Sequence, residues 1–269
     1  GIDRVELRRR NLIPPSAMPY AAPSGQSYDS GEFEAVLDKA LALSDWNGFP
    51  GRRRRSEAAG RLRGIGIGCF LEVAGGAPLT ETADLRFEAD GTAVLRTGAQ
   101  AMGQGQMTTL PLILAQALQV DVSRVRIVQG DSDEVPGGLP TVASRSTMMA
   151  GGAMLRAAEE AIRKAAELAA ELLEAAASDI EYAAGEFRVA GTDRRVGWRE
   201  LARKHGGALD TVAAFSAPEM SFPNGCHVCE VEVDPQTGVV EVVGYAAVDD
   251  VGRVVHQSIV EGQIHGGVA

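Results

Sequence analysis

The sequence has 269 residues, 45% of them hydrophobic, enough for a sizeable core as one large domain or two lobes. Its 36 acidic residues outnumber 26 basic ones, for a formal net charge of -10, and the acidity is spread along the chain. That balance disfavours a nucleic-acid or anionic-membrane surface, and aromatics at 5% are too few for a base-stacking platform.

No apolar run reaches the roughly 18 residues of a membrane helix. The opening GIDRVELRRRNL has no signal-peptide core. Cys69, Cys226 and Cys229 fit a reducing compartment, so a cytoplasmic protein is expected. The chain starts without Met and stops at EGQIHGGVA, inside an incipient helix. It reads as a fragment of a longer polypeptide.

In chain order, residues 1–60 read as a connecting segment with one helix. That helix lies in EFEAVLDKALALSDW, where Phe33, Val36, Leu37, Ala40 and Leu41 form one stripe. The run Arg52–Arg55 reads as a solvated connector. GIGIGCFLEVAGG alternates at Ile65, Ile67, Cys69 and Leu71 and predicts a strand. Its glycines resemble a dinucleotide fingerprint, but no helix follows. Two strands then meet at Asp90-Gly91, a hairpin signal.

AMGQGQMTTLPLILAQAL reads as a loop opening a helix, and VRIVQGD as a strand. The loop SDEVPGGLPTVASRST leads into the longest helix, with a stripe at Leu155, Ala158, Ile162, Ala165, Ala169 and Leu172. Glu159 with Arg163 and Glu160 with Lys164 are spaced as i,i+4 pairs on its wet side. A hairpin, DIEYAAGEFRVAG, and a short helix, GWRELARK, follow. CEVEVDPQTGVVEVVGYAAV predicts a last hairpin turned at Pro235 to Gly238, and IHGGVA starts a helix. The hairpin–loop–helix plan thus occurs twice, which predicts two related lobes, 61–177 and 178–269.

Cys226 and Cys229 form a CxxC on a strand, where residues three apart face opposite ways. The four histidines have no metal-binding spacing, so no protein-ligated metal is expected. The chemistry lies in the loops. A strand-to-helix turn exposes unpaired N–H groups at the positive end of a helix, a ready anion site. Gly103 and Gly105 would let a ligand touch bare backbone, Gln104 can donate and accept, and Thr108 can cap the helix or bond a phosphate. TVASRST precedes a second helix, with hydroxyls at Ser144, Ser146 and Thr147 and a cation at Arg145 suited to phosphate. Two such helix starts fit a large ligand with a pyrophosphate. A phosphate-loop nucleotide hydrolase is disfavoured, because no Lys follows the glycines.

MGQGQMTT, VQGDSDEVPGGLPTVASRSTMMAGGAM, VEVDPQTGVVEV and DDVGRVVHQSIVEGQIHGG, in that order, resemble the molybdopterin-binding large subunit of the xanthine dehydrogenase, aldehyde oxidase and carbon monoxide dehydrogenase family. The resemblance covers most of the chain. It implies the family's two-lobed α+β domain, with mixed sheets and packed helices around molybdopterin. The cofactor would be the cytosine dinucleotide form, with molybdenum held by the pterin.

By the same resemblance, Gly103, Gln104, Gly105 and Thr108 fall in the first cofactor loop. Ala143, Ser144, Arg145, Ser146 and Thr147 fall in the second, and Gln263 falls where a glutamine approaches the pterin. Pro140, His256 and Gln257 depart from the family pattern. The implied partners are the rest of the same large subunit, iron–sulfur (2Fe–2S) and FAD subunits in a dimer of heterotrimers, and a small-molecule substrate. The family's catalytic glutamate matches no residue here, so no catalytic residue is assigned and the chain alone is expected to be inactive. The competing reading is a binding or assembly module that kept the fold without cofactor.

Overall fold

The computed structural model describes residues 1–75, 80–135 and 137–269; Gly76 and Pro136 of the quoted motifs lie outside them. The chain folds in the order α1 (Arg4–Arg9), β1 (Tyr20–Ala21), β2 (Ser27–Tyr28), α2 (Phe33–Leu43), α3 (Phe49–Ala58) and β3 (Leu62–Leu71). Then come β4 (Glu81–Phe87), β5 (Ala93–Thr97), α4 (Gln106–Ala117), β6 (Val125–Val128) and α5 (Ser146–Leu172). β7 (Ile180–Ala183), β8 (Glu186–Val189), β9 (Arg195–Gly197), α6 (Trp198–His205) and β10 (Thr211–Phe215) follow. β11 (Asn224–Val233), β12 (Val240–Asp250) and α7 (Gln257–Val268) complete it. The α+β class is as expected.

Two units share these elements. The first is Gly1–Ala74 with Glu219–Val254, and the second is Gly75–Pro218 with Val255–Ala269. The expected lobes, 61–177 and 178–269, are therefore not the compact units. The reason is pairing: β11 hydrogen-bonds along its length to both β3 and β12, which ties residues 224–250 back to 62–71. The expected connecting segment 1–60 is likewise part of a unit and carries three helices rather than one.

In the first unit the sheet order is β12-β11-β3, all antiparallel. The apolar stripe of α2 buries Val36, Leu37 and Ala40 against Cys226, Val228 and Ala246 of the sheet. Arg52–Arg55 is helical, in α3, and Arg52 is no solvated connector. Its guanidinium and that of Arg63 both meet Glu230, at 3.0 and 2.5 Å. Burial opposes ionisation of Glu230, yet the two guanidiniums outweigh it and hold the carboxyl below its usual range. Cys226 faces Cys69 across the strands with sulfurs 3.6 Å apart, and burial pushes its thiol up to about 12.

In the second unit the sheet order is β10-β4-β5-β6. β6 runs parallel to β5, so α4 is the crossover between them. At ~1.5 Å per residue, the 27 residues of α5 make a helix of about 40 Å. Its buried stripe is Ala153, Met154, Ala157, Ala161, Ala165 and Ala169, small side chains that bring the helix close to β4 and β10. Leu155, expected in that stripe, is exposed. On its wet face Arg163 pairs with Glu160 and Glu167 instead of Glu159. Leu110, Leu114 and Leu118 fill the space between α4 and the sheet. A second sheet, β7-β8-β9, carries Phe187, which meets Trp198 of α6 edge-on in the same core.

Candidate functional site

Every residue named as a site candidate lies in the second unit. The first loop leaves β5 after Thr97 and enters α4 at Gln106. Gly103 has φ +105°, and a Cβ there would meet open space. Gly105, at φ +86°, is the N-cap of α4 and offers no side-chain cap. A Cβ on Gly105 would lie 2.7 Å from the Ile259 side chain, so glycine here lets α7 pack against the loop. The Gln104 amide is turned inward: Nε2 donates to Gln100 O at 2.9 Å, and Oε1 accepts from the Met102 N–H. It braces its own loop rather than standing free.

The second loop runs from Leu139 into α5. Thr141 joins it to the first: its hydroxyl donates to Gln100 O at 2.8 Å and accepts from Gln100 N at 2.9 Å. Ser146 Oγ donates to the same hydroxyl at 3.0 Å. Ala143 and Ser144 are both left-handed, at φ +52° and +51°. α5 begins at Ser146 without a side-chain cap. Two uncapped helix starts are thus fastened side by side, with Gly103, Thr108, Ser144 and Thr147 exposed around them. The hydroxyls of Thr108, Ser144 and Thr147 form no hydrogen bond among the described residues.

Arg145 departs from the sequence reading. Its side chain is 2% exposed, and Nη2 pairs with the fully buried Glu81 at 2.8 Å. Nη1 donates to Pro140 O at 3.1 Å, while Nε has no partner among the described residues. The guanidinium faces a carboxylate and the loop backbone, not an open phosphate site. Ser146 is also buried, with its hydroxyl committed to Thr141. Gln263 is exposed on α7, one turn beyond Ile259 and on the same helical face.

A cavity of about 290 Å³ opens at the roots of the loops, lined by Gly98, Gln100, Gly130, Asp131, Gly138 and Pro140. Another, of about 220 Å³, lies in the first unit beside Phe33, Cys69, Phe70 and Asn224, and none of the candidate residues lines it. No cluster of three metal-ligating side chains exists among the described residues. Nor is any helix among them long and apolar enough to cross a membrane.

A family model described as the molybdopterin cofactor-binding domain matches residues 39–269. The chain belongs to this family. The carbon monoxide dehydrogenase large chain of Hydrogenophaga pseudoflava is 32% identical over 290 residues, covering 100% of this chain and 36% of the relative. The nicotine 6-hydroxylase large subunit of Paenarthrobacter nicotinovorans is 31% identical, covering 98% and 35%. The crystal structure of quinoline 2-oxidoreductase from Pseudomonas putida 86 superposes with a TM-score of 0.88 at 29% identity, over 100% of this chain and 37% of that one. This molybdopterin-binding domain thus spans about a third of the length of the curated relatives it matches.

The residues present fit such a group. A bare, unobstructed backbone at Gly103, two uncapped helix starts and free hydroxyls at Ser144 and Thr147 suit an extended anionic ligand. Reasoning from the sequence missed Glu81, Thr141 and the Gly98–Gly138 contact. In that contact a Cβ on Gly98 would lie 2.5 Å from Gly138 Cα. Thr141 stood within the TVASRST motif, but Glu81 and Gly98 carry no local signal.

Proposed function

We propose that the chain holds a molybdopterin dinucleotide along residues 103–105 and 143–147, as part of the large subunit of a molybdenum hydroxylase. The observation that carries this is the pair of uncapped helix starts joined by Thr141 in a chain of this family. Amides in the first turns of α4 and α5 donate to anionic oxygens of the ligand. Gly103 admits close approach of its backbone, Thr108, Ser144 and Thr147 donate hydroxyls, and Gln263 contributes its amide from α7. Ala143 shapes the turn that presents Ser144. Gln104, Arg145 and Ser146 support the loops from inside.

When bound, the group supplies a molybdenum centre, held by the pterin, at which a substrate carbon is hydroxylated with oxygen from water. Groups able to accept the electrons, 2Fe–2S and FAD, would sit on partner subunits in a dimer of heterotrimers. The substrate is a small molecule, and the relatives' names, carbon monoxide dehydrogenase and nicotine 6-hydroxylase, span chemically different ones. The rest of the large subunit completes the cofactor's wall. The 269 residues alone retain no molybdenum and have no oxidase activity, and stoichiometric metal in the purified chain would contradict this. The loop assignment is tested in the whole large subunit, with its partner subunits, as produced in its host. Ser144→Ala combined with Thr147→Val lowers molybdenum and cytidine nucleotide per protomer roughly tenfold, the weight of one or two hydrogen bonds to charged oxygen. Unchanged content removes the second loop from the cofactor site.

A further inference from the structure

We infer that Glu81 is a positioning residue for the second cofactor loop, acting through Arg145; this rests on the reading that the loop meets the cofactor. Glu81 is the first residue of β4, 64 positions before Arg145, and both side chains are buried, at 0% and 2% exposure. The pair is a poor source of stability, because removing two charges from water cancels much of their attraction. What it does is fix geometry. Arg145 reaches from the start of α5 to Glu81 with one nitrogen and to Pro140 O with another. Both oxygens of Glu81 also face the Leu139 N–H at 3.4 Å. One carboxylate therefore grips both ends of the loop.

Between those ends stand Ala143 and Ser144, two non-glycine residues in the left-handed region. Each such residue is strained and persists only where its surroundings over-determine it. Two contacts determine it: Thr141 is fixed to Gln100 before the turn, and Arg145 to Glu81 after it. The turn leaves Ser144 and Thr147 exposed at the start of α5. Room for the clamp comes from Gly138, where a Cβ would lie 2.9 Å from Glu81 Oε1 and 2.6 Å from Gly98 Cα. Arginine in this loop thus serves the loop's shape, and the cofactor's negative charge is met by backbone amides and hydroxyls.

The test uses the whole large subunit, with its partner subunits, as produced in its host, and melting midpoint and molybdenum and cytidine nucleotide content are measured on each variant. Glu81→Gln lowers both. The double variant Glu81→Leu/Arg145→Met removes both charges, and its midpoint returns to near the parent's, as apolar replacements of buried pairs do. Its cofactor content nonetheless stays roughly tenfold down, because the turn is no longer held in register. Arg145→Lys, which keeps the ion pair but loses the second arm, holds more cofactor than the double variant. Glu81→Asp supplies the same contrast if the double variant fails to fold: the midpoint is largely kept and cofactor is lost. Full cofactor in a folded Glu81→Leu/Arg145→Met or Glu81→Asp protein overturns the clamp. Full cofactor in Ser144→Ala/Thr147→Val overturns instead the reading on which it rests.

Discussion

The two loops reach the same arrangement, an open helix start without a side-chain cap, by different means. The first does it with glycine: Gly103 and Gly105 take positive φ without steric penalty, Gln104 braces the turn from within, and Gln129 and Thr141 tie only its base, at Ala101 and Gln100. The second has no glycine at its left-handed turn and is held from outside, by Glu81 through Arg145 and by Gln100 through Thr141. Positive φ at a glycine needs no distant residue to hold it. A loop built on Ala143 and Ser144 depends on partners far away in sequence.

That contrast breaks first at Glu81. Glu81→Gln leaves a buried guanidinium without its counter-charge, which costs about 3–5 kcal/mol. Calorimetry should record a midpoint lower by about 10 °C. Gly98→Ala acts where the loop roots touch: its Cβ would lie 2.5 Å from Gly138 Cα, with backbone on both sides. The backbones must separate, at about 1–3 kcal/mol, and urea titration should give a correspondingly lower midpoint. Gly103→Ala meets no neighbouring atom, so only its backbone angle opposes the change, at about 1–2 kcal/mol. Thr141→Val keeps the shape and removes the clip to Gln100, for about 1 kcal/mol, since water reaches the exposed amide. If Gly103→Ala proves as damaging to the fold as Glu81→Gln, the two loops are not held differently.

Much of this was legible in the sequence, for reasons that show where legibility stops. The Asp90-Gly91 hairpin, the long helix after the TVASRST loop and the alternation of β3 and β11 are local patterns, and they formed, the helix starting four residues earlier than its periodicity, at Ser146. The two candidate loops were visible because glycines and hydroxyls stood directly before helical periodicity. Arg145 was misread because an arginine among hydroxyls at a helix start looks the same whether it faces phosphate or carboxylate. Its partner lies 64 residues away on an alternating strand, where a glutamate reads as a solvent-facing position. The unit boundaries failed similarly, since the β3–β11 pairing that joins residues 62–71 to 224–233 leaves no local mark in the sequence. The stripe of α5 shifted because close packing on the sheet favours alanine, whereas periodicity reasoning weighted Leu155.

The central claim is that the two joined helix starts hold the dinucleotide cofactor. A crystal structure of the protein isolated with its cofactor tests it most directly. The account predicts density for an extended pterin dinucleotide against the backbone at Gly103–Gly105 and the first turn of α5, with the Arg145–Glu81 pair still closed. Density elsewhere, or an Arg145 guanidinium swung out of its contact with Glu81 onto a cofactor phosphate, would contradict it.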